Sequence, residues 1–235
     1  MNTVPARRIQ EAVSCIAADI DRSIRNRTSM TPVDERGLWT ELTCCLLSSQ
    51  VPYDFAKLAA QRIHEADVLS DSGSCDRETL EEKLLVLLST PFMFHGGYRR
   101  YRFPNIRARQ LSAAFCAVRE ELGALSALLS LYPNPRCART WLVEHLPGIG
   151  PKQASMFLRN ANGSYDLAVL DRHVLCYMEK MNLSSQTNSN VTSIGKYERV
   201  EMQLREHADS LGYAVGLLDW AIWIVMRSAS RIVGQ

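Results

Sequence analysis

Apolar residues recur every three or four positions along most of the chain, which is the spacing of one face of an α-helix. Near the N-terminus Ile9, Val13, Ile16 and Ile20 share such a face. The same spacing predicts further helices over residues 38–47, 54–63, 77–88, 106–121, 138–146, 152–160, 172–181, 197–211 and 215–226. Since no segment shows convincing two-residue alternation, the pattern predicts an all-α fold.

Clusters of glycine, proline and small polar residues separate these predicted helices. They lie at residues 51–52, 91, 96–97, 104, 132–135, 147–151 and 184–195. The last cluster, SSQTNSNVTSIG, is expected to be a surface loop. A length of 235 residues allows one large domain or two small ones. We expect a single helical domain over residues 1–235, with the first and last helices in one lobe and the middle helices in the other.

Composition limits the function only loosely. The 27 Lys and Arg against 25 Asp and Glu give a formal net charge of +2, which neither predicts nor excludes a nucleic-acid partner. The 7 cysteines form no CxxC motif, and the N-terminus shows no leader, so we expect a cytoplasmic protein without a targeting signal. The longest apolar run, residues 216–226, is interrupted by Asp219 and is too short to span a bilayer.

The stretch LPGIGPKQASMFLRN, residues 146–160, places two glycines at a break between predicted helices. This predicts a helix–hairpin–helix at about residues 138–160, because glycine permits positive φ and a close approach to the backbone. The amides around Gly148, Ile149 and Gly150 would lie at the positive end of the next helix dipole, where they could bind a DNA phosphate. Leu146 and Ile149 would anchor the hairpin to the core. The alternative is a plain interhelical turn.

Lys152 follows this turn directly and stands in the first turn of the predicted helix. The helix dipole disfavours an ammonium there, so the amine is readily made neutral and can act as a nucleophile. Asp171, in AVLDRHVL, comes 171 − 152 = 19 residues later and is predicted to cap the next helix, which keeps it ionised. Singly, the lysine would be a phosphate contact and the aspartate a cap. Together they predict a nucleophilic amine and a fixed carboxylate beside a phosphate-binding hairpin.

LPGIGPKQAS followed by VLDRH resembles the signature of the helix–hairpin–helix DNA glycosylases, the endonuclease-III superfamily. Within that superfamily, KQASMFLRN, LDRHVL and YRFPNIRARQL are most similar to the archaeal-type 8-oxoguanine DNA glycosylase/AP lyases, and ELTCCLLSSQ and LDWAIW extend the likeness. The resemblance runs from about residue 38 to the end. It implies two helical lobes with the active site in the cleft between them.

By this resemblance Lys152 attacks the anomeric carbon of a damaged nucleotide that has been flipped out of the duplex. The resulting Schiff base permits β-elimination, and Asp171 stabilises the oxocarbenium-like transition state. Ser49 and Gln50 would fill the gap or touch the opposite strand, while Arg172 and His173 are candidate DNA contacts. The alternative for His173 is a packed or solvated residue.

The base pocket implied by the resemblance involves the last predicted helix. Trp223 would stack on the flipped base, and Asp219 could accept a hydrogen bond from a base N–H. Met156 lies one helical turn after Lys152 and would face the same direction, so it is a further pocket candidate. Trp220 is more typical of a core aromatic.

The run GGYRRYRFPNIRAR interleaves arginines with aromatic residues, a composition that suits a DNA strand backbone and exposed bases. A solvated surface loop whose arginines cap neighbouring helices is an equal alternative. In the resembled family this segment is mainly structural.

The expected partner is double-stranded DNA containing a damaged base, bound by a monomer that needs no cofactor and no metal. An iron–sulfur cluster is not expected, because no group of four cysteines follows Cys176. The archaeal-type enzymes end in a lysine whose terminal carboxylate helps to read 8-oxoguanine, whereas this sequence ends IVGQ. The same chemistry on another modified base, such as a modified phage base, is therefore one alternative. A non-catalytic DNA-binding module, which needs neither Lys152 nor Asp171, and an all-α protein without a nucleic-acid role are the others.

Overall fold

Helices make up most of the chain that the computed structural model describes, which is residues 5–26, 33–70, 76–183, 191 and 193–233, with side chains to residue 228. The helices are α1 Ala6–Arg25, α2 Glu35–Leu47, α3 Tyr53–Glu65, α4 Arg77–Ser89, α5 Pro104–Glu121, α6 Leu125–Leu131, α7 Pro135–His145, α8 Pro151–Asn162, α9 Arg172–Lys180, α10 Ile194–Ser210 and α11 Val215–Val233. Two short strands, β1 Phe92–Phe94 and β2 Gly97–Arg99, form an antiparallel hairpin between α4 and α5. Every helix predicted from the apolar spacing is present.

The β-hairpin and helix α6 were not predicted, and both are short. The strands have three residues each, and two-residue alternation needs a longer segment to be recognised. Helix α6 has seven residues, and its first amides are capped from a distant helix. Both carboxylate oxygens of Glu35 accept from it, at 2.6 Å from Leu125 N and 2.8 Å from Ser126 N. The predicted loop over residues 184–195 lies mostly outside the described residues, and Ile194 and Gly195 belong to α10.

The chain divides into two compact units. The terminal unit comprises Met1–Thr31 and Gly163–Gln235, and the central unit comprises Pro32–Asn162. Among the described elements, the terminal unit therefore holds α1, α9, α10 and α11, and the central unit holds α2 to α8 with the β-hairpin.

The core of the central unit is built around α2, whose residues 42–47 are all buried. Helix α2 packs against α3 and α8, and Trp39 lies 5.0 Å from Phe115 of α5 between ring centroids. The core of the terminal unit is formed where α1, α9 and α10 pack against α11, around buried residues such as Val13, Tyr177 and Leu218.

No single helix in the described part of the chain is both long and apolar enough to cross a bilayer. Only α10 and α11 taken together, a pair bent by 91°, have the necessary length and composition.

Candidate active site

The helix–hairpin–helix predicted at about residues 138–160 is formed by α7, the turn at residues 146–150 and α8. The predicted anchors are buried, with Leu146 1% and Ile149 4% exposed. Gly148 has φ +86°, and a Cβ atom at that position would lie 2.4 Å from Cδ of Gln110. The positive φ therefore favours glycine there, and a larger residue would also have to displace the flexible side chain of Gln110 of α5.

The amides of this turn are not all available to a ligand. The N–H of Ile149, one of the three expected to bind a phosphate, donates to the carbonyl of Leu146 at 3.2 Å instead. The N–H groups of Gly148 and Gly150 have no acceptor among the described residues. Pro151 has no N–H, and it occupies the first helical position, where its fixed φ suits the helix start. The turn thus offers the amides of two glycines to an anion at the N-terminus of α8.

Lys152 is the second residue of α8 and is half-buried. Met156, one turn further along the helix, is only 8% exposed, so most of its surface packs inside the central unit. A link that the sequence did not suggest joins the two helices of the motif. Arg139 of α7 and Ser155 of α8 are fully buried and lie 3.2 Å apart, with the guanidinium donating to the hydroxyl.

The Ser49–Gln50 pair lies in a turn directly after α2. Ser49 is half-buried, whereas Gln50 is exposed and has φ 60°, a left-handed conformation that non-glycine residues rarely adopt outside constrained or functional turns. The buried Tyr101 stabilises the start of this turn, because its hydroxyl donates to the carbonyl of Leu47 at 2.7 Å. Burial raises the pKa of Tyr101 to about 12, with Arg107 acting in the opposite direction, so this hydroxyl is a neutral donor.

In the terminal unit, Asp171 is the N-cap of α9, as the sequence predicts. Its Oδ1 accepts the N–H of His173 at 2.8 Å and of Val174 at 2.9 Å. Asp171 is half-buried, and its Oδ2 accepts no hydrogen bond from the described residues. One carboxylate oxygen therefore fixes the side chain against the helix, and the other stays available.

Two buried carboxylates hold the segment that leads into Asp171, residues 165–170. Glu201 of α10 accepts the N–H of Ala168 at 2.7 Å, and Asp219 of α11 accepts the N–H of Val169 at 2.5 Å. Glu201 is 2% and Asp219 1% exposed. Without these two acceptors the amides of Ala168 and Val169 would be buried and unpaired, which is costly.

Further contacts from the same two helices complete this support. The hydroxyl of Tyr197 accepts the N–H of Leu170 at 2.9 Å and donates to the carbonyl of Ala168 at 2.8 Å. The N–H of Gly216 donates to the carbonyl of Tyr165 at 2.8 Å. Because a Cβ atom on Gly216 would lie 2.5 Å from the carbonyl oxygen of Leu167, α11 can approach this segment only with glycine there.

The other predicted residues of the terminal unit differ in how accessible they are. Arg172 is exposed and His173 half-buried, at the start of α9. Asp219 is engaged with backbone in the core rather than open to a base N–H. Trp223 is half-buried, and the guanidinium of Arg227, which the sequence analysis overlooked, lies 4.7 Å from its ring centroid. The four-residue spacing on α11 could have suggested this pair. Trp220, expected in the core, is also only half-buried.

Comparison with known proteins identifies the family. A family model described as 8-oxoguanine DNA glycosylase matches residues 20–213. The 8-oxoguanine DNA glycosylase/AP lyase of Saccharolobus solfataricus is 30% identical over 198 residues, which are 81% of this chain and 82% of that protein.

Solved structures agree with the sequence match. The crystal structure of Methanocaldococcus jannaschii 8-oxoguanine DNA glycosylase has a TM-score of 0.66 and 26% identity, covering 93% of this chain and 91% of that one. The 8-oxoguanine glycosylase/lyase from the same organism, in complex with a 15mer DNA containing 8-oxoguanine, has a TM-score of 0.60 and 25% identity, covering 92% and 87%. The predicted fold class is confirmed, and the chain belongs to the 8-oxoguanine DNA glycosylase family.

Proposed function

We propose that this protein is a bifunctional DNA glycosylase/AP lyase that excises 8-oxoguanine from double-stranded DNA. The observation that carries the proposal is Lys152 in the first turn of α8, directly after a glycine turn with two available amides, in a chain of this family. A module that only grips DNA would need the turn but no lysine nucleophile and no capped carboxylate.

In this proposal the Gly148 and Gly150 amides bind an oxygen of one DNA phosphate. The N-terminus of α8 adds the positive end of its dipole, and the burial of Ile149 keeps the turn rigid. Phosphate contacts of this kind position the strand without reading its sequence. They would hold the sugar–phosphate chain against the helix that carries Lys152.

Lys152 supplies the nucleophile. Once the Lys152 ammonium has given a proton to solvent, the lone pair of Nζ forms a bond to C1′ of the flipped-out nucleotide as the glycosidic bond breaks. The electron pair of that bond leaves with the base, which takes up a proton. Opening of the sugar gives an imine between Nζ and C1′, and the ring oxygen takes up a proton. Solvent then removes a C2′ proton, the electrons of that C–H bond form a C2′–C3′ double bond, and the C3′–O bond breaks so that the 3′ strand leaves as a phosphate. Water hydrolyses the imine and releases the lysine.

Asp171 stabilises the positive charge that develops on the sugar as the base departs. Its Oδ1 is used by two amides of α9, so the carboxylate is held in one orientation while Oδ2 remains available. An aspartate fixed in this way needs little reorganisation at the moment of reaction, which is the property that electrostatic catalysis requires.

The remaining predicted residues take roles in holding the substrate. Ser49 and Gln50 would fill the gap left by the flipped nucleotide or touch the opposite strand. Arg172 and His173 would contact DNA, and Met156 and Trp223 would line the base pocket. The exposure of Gln50 and its left-handed backbone support the first role, and the half-buried ring of Trp223 beside Arg227 supports the last.

We also propose that the protein is a monomer and that it acts in the cytoplasm on nucleoid-associated DNA. The cysteines at positions 15, 44, 45, 116, 137 and 176 are free thiols. Unpaired thiols are typical of proteins in reducing compartments, which supports the cytoplasmic location.

A borohydride trapping experiment tests the function. A duplex with a single 8-oxoguanine should give a covalent protein–DNA adduct and, without borohydride, a strand break, while a matched duplex with guanine should give neither. Lys152→Gln should bind the duplex and give no adduct, whereas Lys196→Gln, an exposed lysine on α10, should behave like the wild type. If neither the 8-oxoguanine duplex nor an abasic duplex gives an adduct, the lyase activity is refuted.

A panel of duplexes, each with one altered base, tests the identity of the substrate independently of the lysine mechanism. If a different modified base is released faster than 8-oxoguanine, that base is the substrate and the lysine mechanism still stands. Release of no base by a protein that still binds duplex DNA would favour the non-catalytic module.

A further inference from the structure

The β-hairpin at residues 92–99 is anchored firmly on one face. The Phe55 ring of α3 lies 5.3 Å from that of Phe92 and 4.9 Å from that of Phe94 between centroids. The guanidinium of Arg62 stacks on the Phe92 ring at 3.4 Å and donates to the carbonyls of Leu87, Thr90 and Pro91. Because these contacts hold one face of the hairpin, the opposite face is a rigid surface.

That opposite face is apolar and open to solvent. Met93 and Tyr98 are cross-strand partners, so their side chains lie on the same face. They are 56% and 76% exposed, among the most exposed large apolar residues of the described chain.

The chain around the hairpin is strongly basic. Residues 83–119 contain seven Lys and Arg, namely Lys83, Arg99, Arg100, Arg102, Arg107, Arg109 and Arg119, and no Asp or Glu. Arg99, Arg100 and Arg102 are exposed and form no ion pair with a described carboxylate. Exposed arginines next to an exposed aromatic ring suit a DNA strand better than a protein surface, because they match both phosphates and bases.

Two contacts connect this basic segment with the turns already described in the same unit. Tyr101, between the arginines, donates its hydroxyl to Leu47 at the end of α2, directly before the Ser49–Gln50 turn. Gln110, further along α5, lies against Gly148 of the phosphate-binding turn and accepts from Arg107 at 2.7 Å. The segment thus runs from the hairpin past both turns.

Arg99 is the cross-strand partner of Phe92, and its guanidinium lies 5.6 Å from the Phe94 ring centroid, so it belongs to the anchored face. We infer that the Met93–Tyr98 face, with the exposed Arg100 and Arg102 that follow it in the chain, is a second DNA contact, beyond the helix–hairpin–helix. The arginines neutralise phosphates, and the Met93–Tyr98 pair packs against deoxyribose or an unstacked base of the substrate duplex. The inference rests on the proposed function in that DNA is the ligand, but it requires no catalysis by Lys152.

The arginine part is tested by the salt dependence of binding to an undamaged duplex. Each phosphate contact contributes about 0.9 to the slope of log affinity against log salt concentration. Replacing Arg100 and Arg102 with glutamine should therefore lower that slope by roughly 2. A control with Arg8 and Arg77 replaced in the same way loses the same charge from exposed sites on α1 and α4 and should keep most of the slope. An unchanged slope in the hairpin variant, or an equal loss in the control, overturns the inference.

Single substitutions cover the case in which the double variant folds poorly. Arg100→Gln should lower the slope by about 0.9. Tyr98→Ala should weaken duplex binding about fivefold or more, with Tyr98→Phe close to wild type, since the ring and not the hydroxyl makes the contact. Met202→Ala removes a side chain with 55% exposure from α10 and should have no effect. If Tyr98→Ala binds the duplex as tightly as the wild type, the Met93–Tyr98 pair is not part of the DNA contact.

The two proposals fail in different experiments. If borohydride trapping fails while the hairpin variants lose salt dependence, the protein binds DNA through this face without lyase chemistry. If trapping succeeds while the hairpin variants bind with the wild-type slope, the glycosylase proposal stands and the second DNA contact is wrong.

Discussion

The glycine turn of the central unit, residues 146–150, and the Asp171 segment of the terminal unit are built in opposite ways. The turn is local, since residues 146–150 and the adjacent helix ends supply its backbone donors and both buried anchors. The Asp171 segment is held by side chains that are 33 and 50 residues away from the amides they bind. A turn made of backbone tolerates change elsewhere in the chain, whereas a segment held by remote buried carboxylates depends on each of them.

The largest effect is expected from Asp171→Asn, because it removes the charge and keeps the cap. Asparagine is as good an N-cap as aspartate, so the thermal midpoint should barely change. The rate of base release should fall by at least about 100-fold, the lower end of what positioned acid–base and electrostatic groups contribute. Single-turnover kinetics on the 8-oxoguanine duplex measures this rate. Asp166→Asn, an exposed neighbour, is the matched control, and equal rates in the two variants would return Asp171 to the role of a simple cap.

Asp219→Ala distinguishes support of the Asp171 segment from the base contact that the sequence suggested. Loss of the buried acceptor of the Val169 N–H should lower the free energy of unfolding by about 1–3 kcal/mol. It should also reduce kcat, with a smaller effect on binding of the duplex. Asp219→Asn, which retains an acceptor oxygen, should recover part of both.

A different result for Asp219→Ala would favour the base contact. In that case the variant would keep its stability to urea and lose only its preference for the 8-oxoguanine duplex over an undamaged one. Glu201→Gln, which affects the neighbouring Ala168 amide, should follow the same stability trend as Asp219→Asn if the support is shared.

Gly148→Ala probes the local construction of the turn. A left-handed conformation costs an L-residue about 1–2 kcal/mol, and the new methyl group must also displace the side chain of Gln110. Stability and duplex affinity should therefore fall together. Gly195→Ala, where a methyl group meets nothing within 4 Å, should not reduce either, so equal behaviour of the two variants in melting and binding assays would contradict the role given to the turn.

The smallest effect concerns the pH dependence of the terminal unit. Burial lowers the pKa of His207 below its ordinary value of 6.5, and its Nε2 lies 2.9 Å from the hydroxyl of Tyr177. A group whose pKa is lowered by folding stabilises the fold above its unfolded pKa, and this contribution is lost as the pH falls below about 6.5. The free energy of unfolding should thus decline less steeply with acid in His207→Gln than in the wild type. Parallel pH profiles for the two proteins would contradict this assignment.

The features that could be predicted from the sequence depend on local contacts, and those that were missed depend on remote ones. The two helices and the turn at residues 146–150, the burial of Leu146 and Ile149 and the cap at Asp171 were predictable, because each depends on residues within one or two turns. The internal hydrogen bond of the Ile149 amide was missed, since a glycine-rich turn indicates its conformation but not which amide closes it. The roles of Asp219 and Glu201 were missed because their backbone partners are far away in the chain.

A glutamate at position 201 gave one signal that could have been used. It lies four residues after Tyr197 on the apolar face of α10, and a carboxylate in a core position must have a polar partner. The β-hairpin gave no such signal, because strands of three residues between two helices are too short for their periodicity to be recognised.

The most direct test of the central claim is to identify the residue that becomes attached to DNA. After borohydride reduction with the 8-oxoguanine duplex, proteolysis and mass spectrometry should find the deoxyribose remnant on Lys152 alone. An adduct on a different amine, such as Lys57 or Lys180, formed at the wild-type rate in Lys152→Gln, would contradict the account.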